Sequence, residues 1–161
     1  MNDRYLFRAK RIDNGEFVIG SLVLSDDADE EYKAIIIPSV NSNMFTRESY
    51  NEDLGFENWY KVEPSTICQC TGLKDKNGKL IWENDVVKKE FYTDYDAFAN
   101  SEKYIGVVKY EDCAWCVSYE RDGHKCNSPI FMAMEYHDAD HFDVIGNIFD
   151  NPELLEVEEA Q

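Results

Sequence analysis

Eight side chains of this 161-residue sequence, five Cys and three His, are of the types that hold metals or act as nucleophiles and bases. They fall into short groups: Cys68-x-Cys70, Cys113-x-x-Cys116, His124-x-Cys126, and His137-Asp138-Ala139-Asp140-His141. A Cys-x-x-Cys beside a hairpin is a common zinc half-site, but structural zinc wants two compact pairs and a second Cys-x-x-Cys is missing. If the segment around residue 69 is a strand, Cys68 and Cys70 share one face. Cys113 and Cys116 would then point to opposite faces unless a turn intervenes. Free thiols, buried or half-exposed, are the expected state, with zinc and a thiol redox pair as the alternatives. On a helix His137 and His141 would share a face and could hold a metal. No Glu follows the first His in the metalloprotease spacing and the flanks read as loop, so a solvated acidic turn is expected. No nucleophile elbow and no phosphate-binding glycine loop occurs, and 33 acids make chance carboxylate pairs inevitable. The sequence thus predicts no catalytic, cofactor-binding or metal residues, and a protein that is not an enzyme.

The elements that would position any such group are organised around residues 66–89, TICQCTGLKDKNGKLIWENDVVKK. Two strand-like runs flank Lys76-Asn77-Gly78-Lys79, and Asn-Gly accepts positive φ at little steric cost, which predicts a hairpin. A second bend is expected at Asn84, since asparagine tolerates the left-handed region. The stretch is locally basic through Lys74, Lys76, Lys79, Lys88 and Lys89 against Asp75, Glu83 and Asp85. These read as solvated turn lysines, a poor nucleic-acid patch in a chain of net charge −17.

The string Gln69-Cys70-Thr71-Gly72-Leu73-Lys74-Asp75-Lys76-Asn77-Gly78-Lys79, continued by Ile81-Trp82-Glu83-Asn84-Asp85-Val86-Val87, resembles the YopX family of small phage and prophage proteins of Gram-positive bacteria. That family reads roughly Q-[FY]-TGLKDKNGK-x-IYEGDIV there. Phe7-Arg8-Ala9 and the stretch Val144-Ile145-Gly146-Asn147-Ile148-Phe149-Asp150-Asn151-Pro152-Glu153-Leu154 fit it as well, so the likeness spans nearly the whole chain. Departures are Cys70 for an aromatic, Trp82 for Tyr and Asn84 for Gly, which keep size or turn geometry. The resemblance implies a mostly-β fold, phage or prophage origin and oligomerisation; it implies no known activity and supplies no catalytic residues.

A chain of this length can bury roughly two thirds of its surface as one domain or two small ones. Hydrophobic residues make up 43% and aromatics 14%, with ten Tyr and nine Phe, a bias that suits pleated half-buried surfaces. The net charge of −17 repels phosphate backbones and anionic membranes, so neither direct nucleic-acid binding nor membrane binding is expected. It favours basic host or phage proteins as partners, or mimicry of nucleic acid. No apolar run of signal-peptide length occurs and the longest aliphatic run, 34–37, is four residues, so a cytoplasmic protein with reduced thiols is expected.

In chain order, residues 4–24 read as a hairpin about Asp13-Asn14-Gly15, with Phe17, Ile19 and Val23 at odd positions. The acidic run Asp26 to Glu31 reads as a solvated loop. Ala34 to Ile37 reads as a strand that could be buried on both faces and is stopped by Pro38. A helical turn near 46–53, capped by Thr46, is the reading for part of the polar stretch 41–58. Trp59, Lys61 and Glu63 fall on one face of a strand ended by Pro64. Residues 91–103 read as a loop or short helix. Residues 104–110 read as a strand with a bulge at Gly106, and Trp115, Val117 and Tyr119 as one face of a strand turning at Arg121-Asp122-Gly123. Residues 129–136 favour strand over helix and 142–148 form a last strand and turn. Asn151-Pro152-Glu153 predicts a short helix over 152–159 capped by Asn151.

The expected fold is mainly β: short antiparallel strands and hairpins with one or two short helices. Residues 1–64 form an N-terminal hairpin and strand region concerned with assembly. Residues 65–161 form a partly open SH3-like barrel with a short C-terminal helix; this last is fold analogy, and such barrels carry many unrelated functions. The functional expectation is a non-enzymatic, homo-oligomeric accessory protein that binds other proteins. The alternatives are an acidic mimic of nucleic acid that blocks a host DNA-binding protein, and a zinc-dependent module.

Overall fold

Turn chemistry cuts this chain into short strands, and a computed structural model describes them over residues 3–26, 32–39, 44–46, 54–89, 104–130 and 142–156. The fold is mainly β, as expected. The named helical elements are single 3-10 turns at Asp3–Tyr5, Pro64–Thr66 and Pro152–Leu155. Contacts divide the chain into two units, residues 1–70 and 71–161.

In the first unit, β1 (Phe7–Lys10) and β2 (Phe17–Leu24) form the N-terminal hairpin, with Gly15 at φ 73° in its turn. Strand β3 (Ala34–Pro38) pairs with β2. Strands β4 (Met44–Thr46) and β5 (Leu54–Phe56) pair with each other, and β6 (Tyr60–Lys61) pairs with β3. The start of β7 (Cys68–Lys74) adds to β1, giving the order β6-β3-β2-β1-β7. Ala9, Ala34, Ile36 and Val62 make the buried cluster, with Phe7, Val18, Leu22 and Ile67 packed on it. At Gly20 a Cβ would stand 2.1 Å from the Ile37 carbonyl oxygen, so the β2–β3 approach requires glycine. The Pro64 turn is tied to β1 by the Thr66 hydroxyl, which accepts from the Lys10 backbone N–H at 2.9 Å and donates to the Glu63 carbonyl at 2.8 Å.

One expectation changes here. Ala34 and Ile36 are buried but Ile35 and Ile37 are only half-buried, so β3 has one core face. Thr46 pairs with Leu54 in a strand ladder, and the rest of the helical turn expected over 46–53 lies outside the described residues.

In the second unit, the rest of β7 turns at 75–78 into β8 (Leu80–Trp82), and a bend at Asn84, φ 63°, leads to β9 (Asp85–Lys89). Strands β10 (Tyr104–Glu111), β11 (Ala114–Arg121), β12 (His124–Pro129) and β13 (Phe142–Asn147) complete a five-stranded antiparallel sheet in the order β12-β11-β10-β9-β13. The strands β9 to β12 form a meander whose first strand is also paired with β13, and a β12–β13 pairing that would close a barrel is not among the described pairs. Both hairpin turns of the meander have two residues at positive φ, Asp112-Cys113 (51° and 64°) and Asp122-Gly123 (52° and 74°). This primed geometry matches strand twist. Ile81, Val87, Tyr104, Val108, Val117, Ile130, Phe142 and Val144 form the core, with Trp115 and Tyr119 against it.

Gly106 marks no bulge. It pairs regularly with Val87 and is small because Val117 Cγ1 and the Ser118 carbonyl oxygen would lie 2.6 and 2.7 Å from a Cβ. The irregularity lies instead in β13, between Val144 and Gly146. Residues 152–155 form one 3-10 turn in place of a longer helix, and the Asn151 side chain caps nothing in it. The Asn151 Oδ1 instead accepts from the Asn147 backbone N–H at 3.4 Å. The expectations for 91–103, for 131–136 and for His137 to His141 lie outside the described residues.

Candidate functional site

Asp75 accepts three backbone hydrogen bonds. It sits in the Lys74-Asp75-Lys76-Asn77-Gly78-Lys79 turn, where Gly78 takes φ 79°. Its Oδ1 accepts from the backbone N–H groups of Asn77 and Lys79, both at 2.9 Å, and its Oδ2 accepts from the Val144 N–H at 3.1 Å. Burial pushes the carboxyl toward its neutral form. The three backbone donors outweigh that and hold its pKa below the usual carboxylate value. Around it the turn is fastened to β13. The Lys76 N–H donates to the Phe142 carbonyl at 3.0 Å, and the Lys76 ammonium meets Asp143 at 2.9 Å. The Asn77 amide donates to Asp143 at 3.0 Å, and the Lys79 ammonium reaches the Val144 carbonyl at 3.4 Å.

The same pattern recurs one turn later. Asp85, fully buried, accepts from the Trp82 N–H at 2.8 Å, and the Asn84 carbonyl accepts from the Ile148 N–H at 3.1 Å. Strand β9 pairs with β13 through Val87 with Val144, Val86 with Gly146, and Asp85 with Asn147. At Gly146 a Cβ would lie 2.5 Å from Asn151 Oδ1 and 2.8 Å from Leu154 Cδ1, so a larger residue would displace those two side chains. The residues of 69–87 and 144–154 that drew attention in the sequence therefore meet, through backbone hydrogen bonds and through the contacts of Lys76 and Asn77 with Asp143.

In the locally basic stretch Lys74, Lys76 and Lys79 are exposed, as expected of turn lysines, and Lys89 is the exception. Lys89 is buried, its ammonium 5.7 Å from the centre of the Tyr104 ring and 5.4 Å from that of Phe142. A cation there is held by ring quadrupoles on both sides. Sequence reasoning missed this because both rings arrive from far along the chain.

A second polar group crosses the outer face of β10, β11 and β12. The Ser118 hydroxyl donates to Asn127 Oδ1 at 2.7 Å, the Asn127 amide donates to Glu111, and the Lys125 ammonium meets Glu111 at 3.2 Å. Of these, Ser118 and Lys125 line an open cleft of about 1080 Å³ that is also lined by Leu154 and Leu155 of the C-terminal turn. The Ser118 proton faces an amide oxygen, which is not a base, and Glu111 is engaged by two donors. This arrangement is a hydrogen-bond ladder that fixes three strands; it does not activate a nucleophile.

The cysteines are spread out. Cys68 and Cys70 are fully buried on β7, Cys113 is exposed at a turn tip, Cys116 is buried and Cys126 half-buried, and all five are free. Burial pushes the Cys116 thiol pKa up, and the charges of Glu111 and Asp112 add to that, so this thiol stays protonated at neutral pH. Among the described residues no three His, Cys, Asp or Glu side chains gather as a metal-binding group; His137 and His141 lie outside them. No helix of the described residues is long and apolar enough to cross a membrane.

In the first unit, cations lie over rings: Arg8 and Lys10 over Phe17 at 4.8 and 5.6 Å, Arg11 over Tyr60 at 4.0 Å, and Lys61 over Tyr32 at 4.0 Å. Tyr32 in turn lies 6.3 Å from Trp59. Arg8 is buried and the other side chains are half-buried or exposed, and a cation over a ring stabilises either arrangement.

Compared with known proteins, the family model described as "YopX protein" matches residues 6–156. A search of curated proteins gives no match. Among solved structures, the chain is similar to protein EF1440 from Enterococcus faecalis, with 22% identity over 92% of this chain and 96% of that one and a TM-score of 0.46.

Proposed function

Because the chain belongs to the YopX family, we propose that it is a phage- or prophage-encoded accessory protein that self-assembles and works by contact with other proteins rather than by catalysis. One observation carries this reading. Five polar residues of the family-like stretch, Asp75, Lys76, Asn77, Asn84 and Asp85, are engaged in backbone, hydrogen-bond and ion-pair contacts that hold the β7–β9 region to β13 and its following turn. A family signature whose polar atoms are so engaged describes a scaffold, and what the scaffold presents is surface. Light scattering of the full chain at micromolar concentration tests the assembly part. A species larger than one chain is expected, and a strictly monomeric one contradicts it.

A second reading, an acidic mimic of nucleic acid, draws support from the net charge of −17. It requires that the chain capture a basic DNA-binding protein from host lysate and lose it as salt rises. A salt-insensitive partner, or none, removes it.

A further inference from the structure

We propose that the aromatic corner formed by Tyr110 and Trp115, at the turn between β10 and β11, is a docking site for an arginine side chain of a basic partner protein. The inference deepens the reading of the chain as an interaction module and rests on it.

Elsewhere the chain covers its neighbouring rings with its own cations. Lys61 lies over Tyr32 of the Tyr32–Trp59 pair at 4.0 Å, and the Lys89 ammonium is 5.7 Å from the ring centre of Tyr104, which stacks on Tyr119. Among the described residues no cation lies over either ring of the pair Tyr110 and Trp115. Register sets these two opposite each other near the end of the β10–β11 ladder, with ring centroids 5.1 Å apart and planes inclined by 67°. Rings so inclined leave a corner walled by two π faces, and such faces attract cations. Trp115 packs against the core of the second unit, which anchors the corner, while Tyr110 is 57% exposed.

The charges nearby select the occupant. Asp112, exposed in the adjoining turn, makes no ion pair or side-chain hydrogen bond among the described residues. Glu83 precedes Asn84, whose N–H donates to the Val108 carbonyl at 2.8 Å, so a second acid borders β10 at this end. The basic groups of these strands are placed elsewhere. Alternation turns Lys109 to the other side of β10, where it lines the cleft, and on that side the Lys125 ammonium is paired with Glu111. Lys88 and Lys89 pair with Ile105 and Tyr104 at the far end of β10, and Arg121 and His124 lie at the far end of β11 and β12. Arginine suits the corner because its flat guanidinium stacks on a ring while its N–H groups stay free to meet a carboxylate. The field of a chain at −17 draws in a basic segment and repels nucleic acid. A second copy, itself at −17, is a poorer source of the guanidinium than a basic protein.

The test uses the full chain and fluorescence anisotropy of a dye-labelled twelve-residue peptide with three arginines spaced by glycine and serine. The same peptide with citrulline at each arginine, which keeps the planar shape and lacks the charge, and an oligothymidine serve as comparisons. The arginine peptide is expected to bind about tenfold more tightly than the citrulline peptide and to weaken as salt rises. Tyr110→Leu should lower its affinity about three- to fivefold, and Tyr110→Phe, which keeps the π face, should leave it within about twofold, both with unchanged circular dichroism. Net charge is the same in all three proteins, so attraction by the overall field alone gives no loss in Tyr110→Leu. Wild-type affinity in Tyr110→Leu, equal losses in the two variants, equal binding of the two peptides, or tighter binding of the oligothymidine overturns the proposal. Light scattering on the same proteins separates it from the assembly reading. An assembly that dissolves in Tyr110→Leu makes the corner a self-interface and overturns the proposal, whereas lost peptide binding in an intact assembly supports it. A wild-type chain that is monomeric yet binds the arginine peptide through Tyr110 supports the proposal and defeats only the self-assembly reading.

Discussion

The Asp75 carboxylate accepts a hydrogen bond from the backbone nitrogen of Val144, 69 positions further along the chain, at 3.1 Å. With its two bonds inside the turn, this acid closes a clip between the β7–β8 hairpin and β13. Its folded-state pKa is held low, so the stability it contributes is present above the unfolded carboxylate value near 4 and is lost as pH falls through the folded value. Urea unfolding of the wild type and of Asp75→Asn should therefore differ by a constant amount, about 1–3 kcal/mol, from pH 5 to 8. That gap should narrow only below about pH 4.

Glycines divide by what surrounds them. Gly20→Ala forces a methyl onto the Ile37 backbone at 2.1 Å, whereas Gly78→Ala meets nothing within 4 Å and is penalised only by its φ of 79°. Gly20→Ala should cost about 3 kcal/mol or more and Gly78→Ala about 1 kcal/mol, measured by chemical denaturation. Similar costs for the two would mean that the β2–β3 approach is wrong.

Cys113 occupies the second central position of a two-residue hairpin turn at φ 64°, where glycine is preferred. It is exposed and lies outside the core. Cys113→Gly should raise the thermal midpoint, corresponding to about 0.5–1 kcal/mol of added stability, because relief of left-handed strain outweighs the entropy lost by glycine. A fall in the midpoint would point to a role for the thiol.

Much of this fold was legible because its turns are written locally. Asn14-Gly15, Asn77-Gly78, Asn84 and Asp122-Gly123 announce positive φ by residue type, and all take it at Gly15, Gly78, Asn84, Asp122 and Gly123. Asp112-Cys113 was missed because neither residue signals the same geometry as plainly. The clip was half legible. An acid two residues before Asn-Gly suggests a local cap, but nothing near Asp75 names Val144 as its third donor. Lys89 reads as a surface lysine until Tyr104 and Phe142 close over it, and the odd-position row Phe17, Ile19 and Val23 does not reveal that Val18 and Leu22 supply the core contacts of β2. These are outcomes of long-range pairing, which spacing along one strand does not determine.

The account stands on the family-like stretch being structural, and the most direct measurement of that is amide hydrogen exchange in Asp75→Ala beside the wild type at neutral pH. The account predicts that the Asn77, Lys79 and Val144 amides, protected in the wild type, exchange at least tenfold faster in the variant, with the β10 and β11 amides slowed or sped only by the change in global stability. Unchanged protection at those three amides, in a variant as stable as the wild type, would contradict it and free Asp75 for some other task.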